Sequence, residues 1–170
     1  MKKKQIAKIS SFCAILVAVV LFVLMFVVPS LTSGGDNPTT IIGKDITFGK
    51  KAGSEMLGYT YEFSFLLLIA FILPLVFGLI LVILQVVGGK KNKGIKTLFG
   101  LLLCISFVAS FIILIDAANV AKLTGSVLGF SGTSSFADAG YKLAWGAIVE
   151  IVLAGIGFVS SCAYTLYSAK

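Results

Sequence analysis

A chain of 170 residues that is 58% hydrophobic and only 12% charged does not read as a soluble domain, which carries about 45–50% apolar and about 25% charged residues. Its mean hydropathy is +1.07, and the apolar residues gather in four long blocks, the pattern of an integral membrane protein. The net charge is +7 and histidine is absent. That removes Ser-His-Asp and Cys-His catalysis and histidine metal sites.

All basic residues are lysines. Lys2, Lys3, Lys4 and Lys8 precede the first block, and Lys90, Lys91, Lys93 and Lys96 separate the second from the third. Clusters flanking apolar blocks read as topology signals and contacts to anionic lipid headgroups, not as a nucleic-acid surface. No Gly-rich phosphate loop precedes a helix with a Lys-Ser/Thr pair, and only one acid falls inside a span. The expectation is a protein that is not an enzyme and takes no cofactor or metal.

In chain order, the first block, residues 9–28, is too long for the apolar region of a signal peptide and lacks a small-residue cleavage site. It is predicted to be an uncleaved span, stopped at Pro29. Residues 29–62 form the first outer loop. Pro29 to Pro38 reads as irregular and turn-rich. Thr39 to Phe48 reads as two short strands around a Gly43-Lys44 hairpin turn, and the alternating Tyr59, Tyr61 and Phe63 as a third strand or an interfacial aromatic belt.

The second span is predicted over 63–87, the connecting cytoplasmic loop over 88–96 and the third span over 97–115. Helical propensity continues from Asp116 to Leu123, so the third helix is expected to project by two turns. The second outer loop covers 116–142, its Gly125–Gly140 stretch rich in Gly and Ser with Phe130 and Phe136 as anchors. Tyr141 and Trp145 mark the interface where the fourth span, 143–167, begins. All 170 residues thus read as one tetraspan domain: an all-α, four-transmembrane-helix bundle with a small extracytoplasmic β-containing cap.

The fourth span carries the most informative pattern. At 100° per residue, Gly146, Glu150, Ala154, Gly157 and Ser161 fall within about 80° of one another. A small-residue seam with an acid in it is expected to face other helices rather than lipid. Ala70, Pro74, Gly78, Leu81 and Gln85 repeat the same spacing in the second span, as a duplicated hairpin or two generic inward stripes would. Ser106, Ser110, Ile113 and Ala117 form a packing seam on the third. Glu150 lies about 10 Å along its helix from Leu143. Burial disfavours its charged form, so it is expected to be protonated and hydrogen-bonded, or wetted by an outward crevice. Pro74 frees the carbonyl of Ala70, at matching depth, as one acceptor for it. A proton or cation site is the functional reading of Glu150, and a structural hydrogen bond is the other. Cys13, Cys104 and Cys162 all fall within spans at one depth, where buried cysteine is a common small hydrophobe.

The two termini and the middle loop hold nine lysines and no acid, whereas the two outer loops hold five lysines and six acids. Both termini are therefore expected in the cytoplasm. Four spans, termini inside, a larger first outer loop with β character and an outwardly prolonged third helix resemble the claudin-type tetraspan architecture over the whole chain. Residues 29–62 lack the Trp and the Cys pair of claudins, so paracellular function does not follow. The all-lysine, Ile- and Phe-rich composition is also similar to small uncharacterised tetraspan proteins of low-GC Gram-positive bacteria, which implies a plasma-membrane location. The functional expectation is an accessory or scaffold protein in the lipid bilayer. It would bind a membrane-protein partner or self-associate as a homo-oligomer through its outer loops and small-residue helix faces. A small transporter or channel component using the Glu150 seam is the alternative.

Overall fold

The computed structural model describes residues 3–34, 37–53, 57–87, 92–127 and 130–169. Four helices are long and apolar enough to cross a membrane: α1 (Lys3–Val27), α3 (Phe65–Val87), α4 (Lys93–Ile115) and α6 (Trp145–Ala169). Between them lie the short helices α2 (Gly43–Phe48) and α5 (Ala117–Val120). The described residues also form seven strands: β1 (Pro29–Ser33), β2 (Thr40–Ile42), β3 (Lys50–Gly53), β4 (Leu57–Tyr61), β5 (Lys122–Val127), β6 (Phe130–Ser135) and β7 (Tyr141–Leu143).

The chain resolves into two compact units. The first comprises Met1–Phe22, Ala70–Phe111 and Ile151–Lys170, and the second Val23–Ile69 and Ile112–Glu150.

The first unit is built from segments of the four long helices. No Gly or Pro interrupts α1 between Lys3 and Val27, so nothing in its interior weakens the helix. Ile15 and Ala18 of α1 pack on Gly78 of α3. Phe77 of α3 meets Phe99 of α4 in a tilted ring contact with centroids 6.3 Å apart, Phe107 of α4 covers Gly157 of α6, and Ser160 of α6 reaches Cys13 of α1 at 3.4 Å. The neighbours thus run α1, α3, α4, α6 and back to α1, a closed four-helix ring. Helix α3 stays continuous through Pro74.

The second unit carries two antiparallel sheets. One has the order β2-β1-β7 and the other β3-β4-β5-β6. Each mixes strands from both inter-helix segments: Leu31 opposes Leu143 in the first sheet, and Leu57 opposes Val127 in the second. Their shared core contains Leu31, Ile41, Ile46, Leu67, Leu123 and Phe136. The Phe136 ring is held edge-on between Tyr61 and Tyr141, with ring centroids 5.3 Å away in both cases. Such T-shaped contacts are favourable beyond the area they bury.

Four expectations are corrected here. Pro29–Ser33 is a strand rather than an irregular turn, because β1 is the middle strand of its sheet and pairs on both sides. Residues 43–48 form α2 rather than the second arm of a hairpin. Ile46 and Thr47 bury one side of this helix, Asp45 sits in its first turn, and Gly49 at φ 81 ends it. There the chain runs so close to the Tyr61 carbonyl that a Cβ would lie 2.8 Å from it, a position suited to glycine on both counts. The third helix does not project by two turns: α4 stops at Ile115, α5 adds one turn, and Ala121 is already extended. The Gly/Ser-rich stretch after it forms β5 and β6, paired from Lys122↔Ser135 to Val127↔Phe130. Phe136 is a fully buried anchor, whereas Phe130 is 85% exposed.

Candidate functional site

Glu150 is the residue around which the second unit's polar interior gathers. It stands on the first turns of α6 with no solvent exposure, and neither carboxyl oxygen has a hydrogen-bond partner among the described residues. The chain around Pro29 positions it. Pro29 has no N–H, so the carbonyl of Met25 in the last turn of α1 loses its helical donor. The chain then turns into β1, and the Ser30 carbonyl accepts from the Ala144 N–H at 2.9 Å, which fixes this corner against the start of α6. The next inward residue, Gly146, lies against Val28 and the Pro29 carbonyl. A Cβ there would fall 2.7 Å from Val28 Cγ2. On the other side, a Cβ at Gly43 would lie 2.8 Å from Ser30 Oγ and 2.9 Å from the Met25 carbonyl.

Ser30 Oγ is a weak hydrogen-bonding neighbour of the Glu150 carboxyl that falls short of full hydrogen-bond geometry, and like Thr47 Oγ1 it is buried with no fully formed hydrogen bond among the described residues. Glu150, Ser30 and Thr47 are thus buried polar side chains left unsatisfied in one unit. Such groups are rare in folded proteins and mark strain, catalysis or an unseen water or ion. The expected partner for Glu150 is taken. The Ala70 carbonyl, freed by Pro74, accepts from Ser110 Oγ of α4, because both groups lie on facing sides of neighbouring helices within the first unit.

The remaining seam residues of α6, Ala154, Gly157 and Ser161, are buried. So are Ala70, Pro74, Gly78 and Leu81 of α3, whereas Gln85 is exposed along its length and donates its amide to Ser11 Oγ of α1. Ser106 and Ser110 of α4 and Ala117 of α5 are buried as well, with Ile113 half-buried. These small-residue faces are filled from within the chain: Phe107 on Gly157, Tyr164 on Gly100, Ile15 on Gly78. They are surfaces occupied from within the chain. Of the lysine clusters, Lys2, Lys90 and Lys91 lie outside the described residues. Lys3 and Lys4 belong to α1, Lys8 and Lys93 are exposed, and Lys96 is half-buried.

Sequence reasoning missed three things. Ser11, Ala14, Ala18, Leu21 and Met25 form a fully buried face of α1, and their 3-4-3-4 spacing was the available signal. Ser30 was overlooked, although a hydroxyl directly after a proline-freed turn is a natural place for a polar corner. The third is a pair of cysteines: Cys104 of α4 and Cys162 of α6 bring their sulfurs to 2.9 Å. Their shared depth hinted at this, but not their facing rotation.

The second unit also holds a cleft of about 330 Å³ lined by Ser33, Tyr59, Tyr61, Leu123, Ala139 and Tyr141. Burial pushes the Tyr61 phenol's pKa above its ordinary value, with Tyr141 adding to the effect. The chain matches no family model, and comparison with curated proteins and with solved structures finds no match.

Proposed function

We propose that the chain is a multi-pass plasma-membrane protein with both termini in the cytoplasm. On this reading it acts without catalysis, as an accessory or scaffold protein that joins a membrane-protein partner through its extracytoplasmic sheets. The lysine distribution supports the orientation, since basic residues concentrate in segments retained on the cytoplasmic side. The layout would then share the claudin-type plan of four spans joined by sheet-bearing outer segments.

The observation that carries the reading is the free edge of β6. Among the described residues, β6 ends its sheet with no further strand paired on its outer side, and only its Ser135 end is closed, by the Asp138 carboxylate and the Ala139 N–H. Its sequence, FSGTSS, contains neither Lys nor Pro, and its first four residues are exposed. Natural edge strands are usually blunted by such residues, because an open edge templates pairing with another chain. The opposite edge, β3, does carry Lys50 and Lys51. An extended segment of a partner added to β6 would satisfy its outward backbone groups, with Phe130 as an apolar anchor.

The experiment compares wild type with a Phe130→Lys/Ser131→Lys variant after mild-detergent solubilisation and native mass spectrometry. The expected result is an associated protein retained by wild type and reduced at least tenfold in the variant. A wild-type chain that is monomeric and unaccompanied, or a complex the variant leaves intact, overturns the proposal.

A second reading is favoured by the unpartnered Glu150 carboxyl beside Ser30: a proton or cation site in a small transporter or channel component. Glu150→Gln retains a donor and removes titration. Proton- or cation-coupled flux in liposomes that is present in wild type and lost in this variant supports the site, and equal flux excludes it.

A further inference from the structure

Two half-buried thiols face each other across the contact between α4 and α6. Cys104 Sγ and Cys162 Sγ are 2.9 Å apart, and a disulfide requires about 2.05 Å. The surrounding contacts fix that approach. Gly157, five residues before Cys162, lies under the ring of Phe107, while Gly100, four before Cys104, lies under Tyr164 and Thr165. One turn further, Thr97 Oγ1 and Ser168 Oγ are 3.4 Å apart. A Cβ at either glycine would collide with the opposing side chain, so the two glycines set the helix spacing that brings the sulfurs together. Closing the bond takes less than about 1 Å of sulfur movement, within the reach of small side-chain rotations and without sliding the helices.

We propose that Cys104 and Cys162 form a redox modification site, oxidised by hydroperoxides to an intramolecular disulfide that locks α4 to α6. In the first step one thiol attacks the peroxide, its S–H and the O–O bond break, and a sulfenic acid and one molecule of water or alcohol result. In the second, the facing thiol attacks the sulfenic sulfur. The S–S bond forms and the sulfenic oxygen leaves as water, carrying the second thiol's proton. Two thiols are oxidised, one peroxide is reduced, and no further reductant or oxidant enters. The resolving thiol is already in place, so the sulfenic acid is captured before further oxidation. Cys13 has a different neighbour, the Ser160 hydroxyl at 3.4 Å, and serves as an internal reference thiol.

The test uses the full chain in lipid nanodiscs, reduced with a phosphine, freed of reductant and exposed to hydrogen peroxide. It is then denatured, alkylated and measured by intact mass. The expected product carries one alkyl group instead of three and yields a peptide crosslinked between Cys104 and Cys162, with those thiols lost at least tenfold faster than Cys13. Cys13→Ser retains the crosslink. Cys104→Ser and Cys162→Ser each abolish it and accumulate sulfinic acid on the remaining thiol. Three alkylated cysteines at peroxide doses that oxidise a free thiol, equal loss at all three, or crosslinks that join separate chains overturn the proposal.

Discussion

The two units treat buried polar groups in opposite ways. In the first, every buried hydroxyl has a partner among the described residues. Ser11 accepts from Gln85, Ser106 donates to the Leu103 carbonyl, Ser110 to the carbonyls of Ala70 and Ser106, and Ser161 to that of Phe158. In the second, Ser64 is satisfied by the Leu67 N–H, but Ser30, Thr47 and Glu150 are not. Both units contain a proline that strips a carbonyl of its helical donor. In α3 a serine from a neighbouring helix fills the gap; beside Pro29 the Ser30 hydroxyl does not. Unsatisfied buried groups cost about 1–3 kcal/mol each. The first unit is therefore built for stability, and the second keeps a polar corner that stability alone does not explain.

Four variants would break or sharpen that contrast. The largest effect is expected for Gly157→Val, which forces a branched side chain into the ring of Phe107. Overpacking of this kind costs about 3 kcal/mol, measured as a fall in unfolding free energy in one detergent. Ser110→Ala should cost about 2 kcal/mol in the same assay, because it orphans the Ala70 carbonyl. An unchanged value would show that the carbonyl finds other company. Glu150→Met keeps the volume and removes an unpartnered carboxyl, so stability should rise by about 1 kcal/mol. A loss instead would reveal a partner for Glu150 and erase the contrast between the units. The smallest effect is at Lys50, whose ammonium lies 2.9 Å from Asp45. The hydrogen bond to Asp45, then its charge, raise the Lys50 pKa above the ordinary lysine value. The pair's contribution is therefore present below that ordinary value and lost as the pH rises through the folded one. Asp45→Asn should abolish the shift in an NMR titration, with stability near neutral pH hardly altered.

The long helices were legible because length and unbroken apolar composition suffice to define them. The buried stripes of α3 and α6 followed from spacing alone. What the sequence concealed depends on partners distant along the chain. Pro29–Ser33 has turn-forming residues but becomes a central strand once β2 and β7 flank it. Glycines 125 and 132 suggested a loop, yet Gly125 pairs opposite Tyr59, whose ring covers it at 3.7 Å. An aromatic neighbour on the adjoining strand offsets the weakness of glycine in a sheet. DITF has β-branched residues and still coils into α2, where tertiary burial of Ile46 and Thr47 outweighs propensity. For the Glu150 corner, the acid and its depth could be read directly. Ser30 and Thr47 could not, because their burial is created by the turn after α1 and by the face of α2.

The pairing of β1 with β7 also sets a timetable. Leu31 and Leu143 lie more than a hundred residues apart, and β4 must likewise wait for β5. Neither sheet can close during synthesis until the segment just before the last helix has emerged. Contacts so distant in sequence slow folding, because the chain loses loop entropy before any pairing compensates. Until then β1 and β4 have partners on one side only, β2 and β3, and their other edges are open to mispairing or to a chaperone. A nascent chain arrested before Lys122 should therefore be far more sensitive to protease in residues 29–62 than the finished protein.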